Sequence, residues 1–323
     1  MDFLVNMVNL LPLIGIYAML ALSLNVIVGL TGLLQLGHVG FFAVGAYTAG
    51  LISIYATVPE LGAGNLVIGS AGAMAMAALF AVLIGLPCLR LRGDYLAIAT
   101  LGFGEILRMT LANVEFPKAA ITDGAFGGAT GILLPNPIFH AVDYRVDYAP
   151  GWLIWLVLAA MFVFLLNLKR SDVGRAMLCI RADEIAARAM GIQPPKYKML
   201  AFLISAVCAG LAGALLVHNP TFGLRASPGD FGLLKTLELL LMVVLGGLGS
   251  MTGSLLAAAL LVVLPELLRF LPPIAGIEIA QHRQLLYAVL LIVLIRLMPN
   301  GMLGLKELPG WLRGAKARTG GRT

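Results

Sequence analysis

Residues 8–30 read VNLLPLIGIYAMLALSLNVIVGL, with no Asp, Glu, Lys or Arg anywhere in the run. At about 1.5 Å of rise per residue, a helix of this length crosses the roughly 30 Å hydrocarbon core of a bilayer. A barrel strand would instead alternate apolar and polar residues over about ten positions. Further runs lie at 38–57, 66–87, 95–112, 151–168, 199–217, 235–249, 253–271 and 284–299. The run at 235–249 is short, and its Gly246-Gly247-Leu248-Gly249 predicts a break or a re-entrant fold. Across the 323 residues 60% are hydrophobic and 12% charged, with a mean hydropathy of +0.97. A typical soluble domain is about 25% charged. The composition excludes a soluble enzyme, a nucleic-acid-binding module and a disordered chain. The expected fold is an all-α integral membrane protein, a polytopic helical bundle of about nine transmembrane helices (within 8–10).

Orientation follows from the basic residues. Segment 169–198 carries seven Lys or Arg, Arg90 and Arg92 follow the third run, and six more lie from Arg296 onward, so fifteen of the 22 fall on one face. The positive-inside rule assigns that face to the cytoplasm. Nine spans then place the N-terminus outside and the C-terminus inside. The net charge of +6 reads as loop bias, with no nucleic-acid partner expected. The first run has no positive n-region before it and reads as a retained span. Residues 1–308 form one transmembrane domain with an exterior segment at 113–149, and 309–323 form a basic, flexible tail.

Reactive motifs are missing from the sequence. It contains no Gly-Lys dipeptide and hence no phosphate-binding P-loop. Cys88, Cys179 and Cys208 have no metal or disulfide spacing, and no nucleophile or paired-carboxylate cluster sits at the edge of a span. No cofactor or metal is expected on this chain, and a membrane-embedded enzyme has nothing to support it. Glu105 with Arg108 and Lys235 with Glu238, each three apart, are expected to pair locally near helix ends. Small residues four apart, among them Gly45 and Ala49, Ala46 and Gly50, Ala206 and Gly210, Ala209 and Gly213, predict close helix packing.

Two segments stand out. Residues 22–50 place Ser23, Asn25, Thr31, Gln35 and His38 among six glycines. Irregular backbone at membrane depth is tolerated only where it is buried in protein or lines a cavity, so this segment is either a translocation path or a turn between helices. The other is 172–198. Asp183 to Gly191 reads as a short helix with a Glu184–Arg188 pair, a glycine suited to the left-handed C′ position, and Pro194-Pro195 beyond it. Adjacent alanines ringed by Arg175, Arg181 and Arg188 suggest a docking element for another protein.

SLNVIVGLTGLLQLGHVGFFAVGAY (23–47), LRLRGDYLAIATLGFGEILR (89–108), RADEIAARAMGIQPPKYKMLAFLISAVCAGLAGAL (181–215) and RLMPNGMLGL (296–305) together resemble the branched-chain amino acid ABC transporter permeases of the LivM type. The resemblance implies a permease of the bacterial inner membrane that imports leucine, isoleucine, valine or related amino acids by alternating access. Urea or amide permeases of similar sequence are the sibling alternative, and an ion-coupled carrier or channel is the alternative from a different class. The implied partners are a LivH-type permease, two cytoplasmic ATPase subunits that bind ATP and Mg, and a periplasmic binding protein. Within a coupling loop at 169–198, the resemblance makes Glu184, Ala186, Ala187 and Gly191 the ATPase contact, with Ile185 standing between the acid and the alanines. Arg181, Asp183 and Arg188 flank them. Ser23, Asn25, Gln35, His38 and Thr100 are the candidate pathway residues.

Overall fold

In the computed structural model the apolar runs fold as helices, with coordinates describing residues 2–55, 64–91, 93–116, 127–134, 149–219 and 225–269 and the positions 289, 292, 296 and 302. The helices are α1 (Asp2–Asn25), α2 (His38–Tyr55), α3 (Gly64–Cys88), α4 (Asp94–Asn113), α5 (Gly151–Arg170), α6 (Asp172–Ala182), α7 (Glu184–Ala189), α8 (Pro194–Val217), α9 (Leu233–Gly246) and α10 (Met251–Arg269). Among the described residues six helices are long and apolar enough to cross a membrane: α1 with its extension, α2, α3, α4, α5 and α8. Most of the run at 284–299, the tail at 309–323 and most of 113–149 lie outside the described residues.

Small side chains set the spacing of the core. A Cβ on Gly45 of α2 would run into the backbone of Gly210 on α8. One on Gly213 would stand 2.6 Å from the amide nitrogen of Ala46, and one on Gly210 2.6 Å from the Cβ of Ala77 on α3. The small-residue spacing therefore does what it predicted: it lets α2, α3 and α8 approach backbone to backbone, where dispersion replaces the hydrophobic drive that lipid does not supply. Helix α1 lies inside the bundle against α5, α8, α9 and α10, and its buried residues run almost without gap from Ile14 to Leu30.

The end of α1 departs from a regular helix. Val26–Leu30 form a π-helical turn that ends at Thr31, and residues 32–37 connect to α2 without helix. Gly29 has no room for a side chain, because a Cβ there would meet the Asn25 side chain and lie 2.8 Å from the Cα of Gly249.

The predicted break at 246–249 is present. Helix α9 stops at Gly246, and Gly247 (φ 104°) and Gly249 (φ 85°) turn the chain into α10. With 14 residues, about 21 Å at helical rise, α9 is too short to cross a bilayer alone. At the opposite end of the bundle, β1 (Ile132–Leu133) pairs antiparallel with β2 (Arg225–Ala226). The 3-10 turn Pro228–Phe231 follows, capped reciprocally by Ser227 and Asp230. It seats Phe231 5.3 Å from Phe42 and 6.2 Å from Tyr47 on α2.

Candidate functional site

The segment from Ser171 to Lys198 is built by caps. Ser171 Oγ accepts the Gly174 amide at 3.3 Å and starts α6, and Asp172 places a negative charge in that first turn. Asp183 ends α6 and starts α7, its carboxylate accepting the Ile185 and Ala186 amides at 2.8 and 3.1 Å. At the far end the Ile192 amide donates to the Ala187 carbonyl and the Gly191 amide to that of Arg188, both at 3.0 Å. These two bonds form a Schellman motif. Gly191 sits at φ 83°, with nothing within 4 Å of where a Cβ would stand, so the glycine serves backbone conformation and not space. Pro194 and Pro195 open α8 in the first turn, where a missing amide costs nothing.

Of the two acids, Asp183 caps and Glu184 anchors. Glu184 accepts Lys198 Nζ at 2.7 Å and Arg188 Nη2 at 2.6 Å, tying α7 back onto α8. The Lys198 bond, helped by that from Arg188, outweighs desolvation and holds the Glu184 carboxyl below the usual carboxylate range. The alanines do not share one surface: Ala187 is buried, while Ala186 is exposed together with Ile185 (81%) and Met190 (82%). Nor do all three arginines ring that surface. Arg181 turns inward, where its Nη1 donates to the Gly29 carbonyl in the π turn and, at 3.4 Å, to the Leu248 carbonyl. One cation thus meets the C-terminal ends of two helices, where the macrodipoles favour it. Arg181 and Arg188 also line a cleft of about 830 Å³ with Arg90, Lys198 and Glu184.

The pathway candidates divide into four groups. Ser23 Oγ and His38 Nε2 lie 2.8 Å apart. Ser205 on α8, which the sequence reading missed, donates to the Ser23 carbonyl at 2.8 Å and lies 3.4 Å from His38 Nδ1. All three side chains are fully buried, and this knot joins α1, α2 and α8. Asn25 accepts the Gly249 amide at 2.8 Å and donates to the Ser250 carbonyl at 2.9 Å and to Ser254 Oγ at 2.8 Å. It stitches α1 to the turn before α10. Thr100 on α4 accepts the Leu36 amide at 3.1 Å and donates to the Ala97 carbonyl at 3.0 Å. Gln35 differs from the rest. It is buried, and neither atom of its amide has a hydrogen-bond partner among the described residues. Ser205, Ser250 and Ser254 carry no motif of their own; serines among alanine and glycine, in α8, in the turn before α10 and in α10, were the only signal.

Both expected intrahelical ion pairs form. Arg108 Nε donates to Glu105 Oε1 at 2.9 Å, and Lys235 Nζ lies 2.8 Å from Glu238 Oε2. Lys235 also stands 4.9 Å over the ring of Tyr17. Lys235 is near the start of α9 as expected, but Glu105 and Arg108 are well inside α4, whose bounds are Asp94 and Asn113.

Comparison with known proteins gives these elements a context. A family model described as branched-chain amino acid transport system / permease component matches residues 6–295. The high-affinity branched-chain amino acid transport system permease protein LivM of Escherichia coli (strain K12) is 39% identical over 321 residues, covering 92% of this chain and 69% of that one. LivH of the same organism, also a permease protein of the high-affinity branched-chain amino acid transport system, is 24% identical over 95% of this chain and 97% of its own. A probable branched-chain amino acid transport permease protein LivM of Methanocaldococcus jannaschii is 24% identical over 91% and 92%. No solved structure matches. With most of its length matched by the family model and by LivM, the chain belongs to the family of branched-chain amino acid transport system permease components.

Proposed function

We propose that this chain is one of two permease subunits of an ATP-binding-cassette importer that carries leucine, isoleucine, valine or related apolar amino acids across the bacterial inner membrane. The arrangement is about nine transmembrane segments, the short α9 crossing only in part before the chain turns into α10, with the N-terminus outside, the C-terminus inside, 113–149 in the periplasm and 169–198 in the cytoplasm. Its partners are a LivH-type permease, two ATPase subunits carrying ATP and Mg, and a periplasmic binding protein that delivers the substrate.

The observation that carries this reading is the α6–α7 segment. A helix too short to hold itself is fixed by two caps and the Glu184–Lys198 ion pair, yet presents Ile185, Ala186 and Met190 outward. Apolar side chains exposed on so firmly held an element suit a rigid docking surface. The chain has no P-loop, so the energy of ATP enters from another polypeptide at this surface. Movement of α7 passes through α6 to Arg181, whose guanidinium grips the π turn of α1 and the turn between α9 and α10. A displacement there biases the bundle between outward-open and inward-open arrangements, a two-state equilibrium shifted by differential binding.

Reconstitution of the chain with its LivH-type partner, ATPases and binding protein tests the proposal. Leucine uptake into liposomes is expected only with all subunits and ATP. Uptake by the isolated chain, or labelling of residues 181–191 from the periplasmic side, overturns it. A binding protein that takes urea and not leucine overturns the substrate assignment alone.

A further inference from the structure

The outward faces of the long helices differ in kind. Helix α3 exposes Val67, Leu79, Leu83 and Leu86, and α5 exposes Trp152, Leu156, Val163 and Phe164, as a lipid-facing surface does. Helix α4 and the start of α9 expose charge set among apolar side chains such as Ile98, Ile106 and Leu234. The side chains of Glu105 (42%), Arg108 (25%), Lys235 (28%) and Glu238 (38%) all reach the surface, and all four line one cleft of about 600 Å³. Its walls are Ile98, Leu101, Gly102, Gly229 and Gly232 to Leu234. Gly232 lies beside the stem of Arg108, where a Cβ would stand 3.9 Å from its Cδ.

Charges within spans are costly in lipid, by about 2.5–3.5 kcal/mol each even on the mildest scale, and mark function by default. Neither ion pair is saturated. Arg108 uses Nε and Nη2 on the single atom Glu105 Oε1, and Lys235, which also stands over the Tyr17 ring, meets Oε2 but not Oε1 of Glu238. Glu105 Oε2 and Glu238 Oε1 therefore accept no hydrogen bond among the described residues. Two carboxylate oxygens and two cations, beside leucine and isoleucine side chains, form a surface that is cationic, anionic and apolar within one small-molecule-sized space.

We propose that the α4–α9 cleft binds the zwitterionic end of an apolar amino acid in transit, its ammonium at Glu105 and Glu238, its carboxylate at Arg108 and Lys235, and its side chain against Leu101, Leu233 and Leu234. This deepens the permease reading and rests on it. The open side of the cleft faces the second permease across a water-accessible pathway, so the site is complete only in the assembled importer.

The test uses the full complex, with Cys179 and the partners' thiols replaced by serine. In a Leu234→Cys variant, an impermeant methanethiosulfonate is expected to label the cleft. Saturating leucine should slow the labelling about tenfold, whereas isoamylamine, which lacks the carboxylate, and isocaproate, which lacks the ammonium, should not. Leu156→Cys on α5 serves as a lipid-facing control that leucine does not protect. Glu105→Gln and Glu238→Gln are each expected to raise KM for leucine about tenfold, the scale of one lost charged hydrogen bond, with unchanged assembly. Labelling indifferent to leucine, a Leu234→Cys thiol sealed against the second permease, or an unchanged KM in both glutamine variants overturns the assignment. ATP-driven leucine uptake by the unsubstituted complex is measured alongside. If uptake persists while protection fails, only the cleft is wrong; if uptake is absent, the transport reading and the cleft fail together.

Discussion

At Gly191 a side chain would meet no neighbour, so a substitution there acts through backbone conformation alone. Gly191→Val forces a β-branched residue into the left-handed region, at about 1–2 kcal/mol, and loosens the C-terminal cap of α7. ATP-dependent uptake is expected to fall while membrane insertion, read by fractionation, stays normal. The ion pair of Glu184 makes the complementary prediction in pH. Its carboxyl is held below the unfolded value of about 4.3 by Lys198 and Arg188, so the stabilisation is full above that value and is lost only as pH falls through the lower folded one. Proteolysis of the 183–193 segment should therefore not change between about pH 5 and 8 and rise only in more acid solution. Asn25 and Gln35 are both buried amides, yet they behave oppositely. Asn25→Ala strands the Gly249 amide and is expected to destabilise the solubilised protein by about 1–3 kcal/mol, seen as a lower Tm. Gln35→Leu removes an unpartnered amide and is expected to raise Tm; a simultaneous fall in uptake would place that amide on the pathway. The sequence singled out both residues as polar and conformationally suspect. It could not separate them, because the partners of Asn25 lie more than 220 positions away.

At the scale of elements, the crossing of α2 with α8 depends on Gly45, Gly210 and Gly213 having no side chains. Gly213→Val should separate the helices and cost about 1–3 kcal/mol by overpacking, measured as a fall in thermal stability in detergent. That contact was legible in the sequence as a spacing of four, although which helix answered which was not. The helix at 183–191 was legible in greater detail, since its ion pair, left-handed glycine and following prolines are local signals, whereas α6 and the Asp183 cap that joins it to α7 were not read from the sequence. The direction of Arg181 was not local. It reads in sequence as one more surface arginine, and only the convergence of two helix ends beneath α6 gives it an inward-facing, part-buried role. Arg181→Gln keeps the hydrogen-bonding length but removes the charge. On the proposed mechanism it uncouples: nucleotide hydrolysis by the assembled complex continues while leucine uptake drops.

For the whole molecule, the outward faces of α3 and α5 are apolar, whereas those of α4 and α9 set two ion pairs among exposed apolar side chains. The sequence by itself determined the class of the protein, its apolar helices and the short helix at 183–191. Hydropathy, helix period and caps are properties of consecutive residues, and a bilayer leaves a continuously apolar chain little choice but helix. The tertiary structure alone decided which helix is central, that Asn25 and Arg181 hold distant turns together, and that two ion pairs far apart in the chain share one cleft. Those relations depend on how helices cross, and crossing is settled by pairwise fit between surfaces that no single stretch of chain encodes.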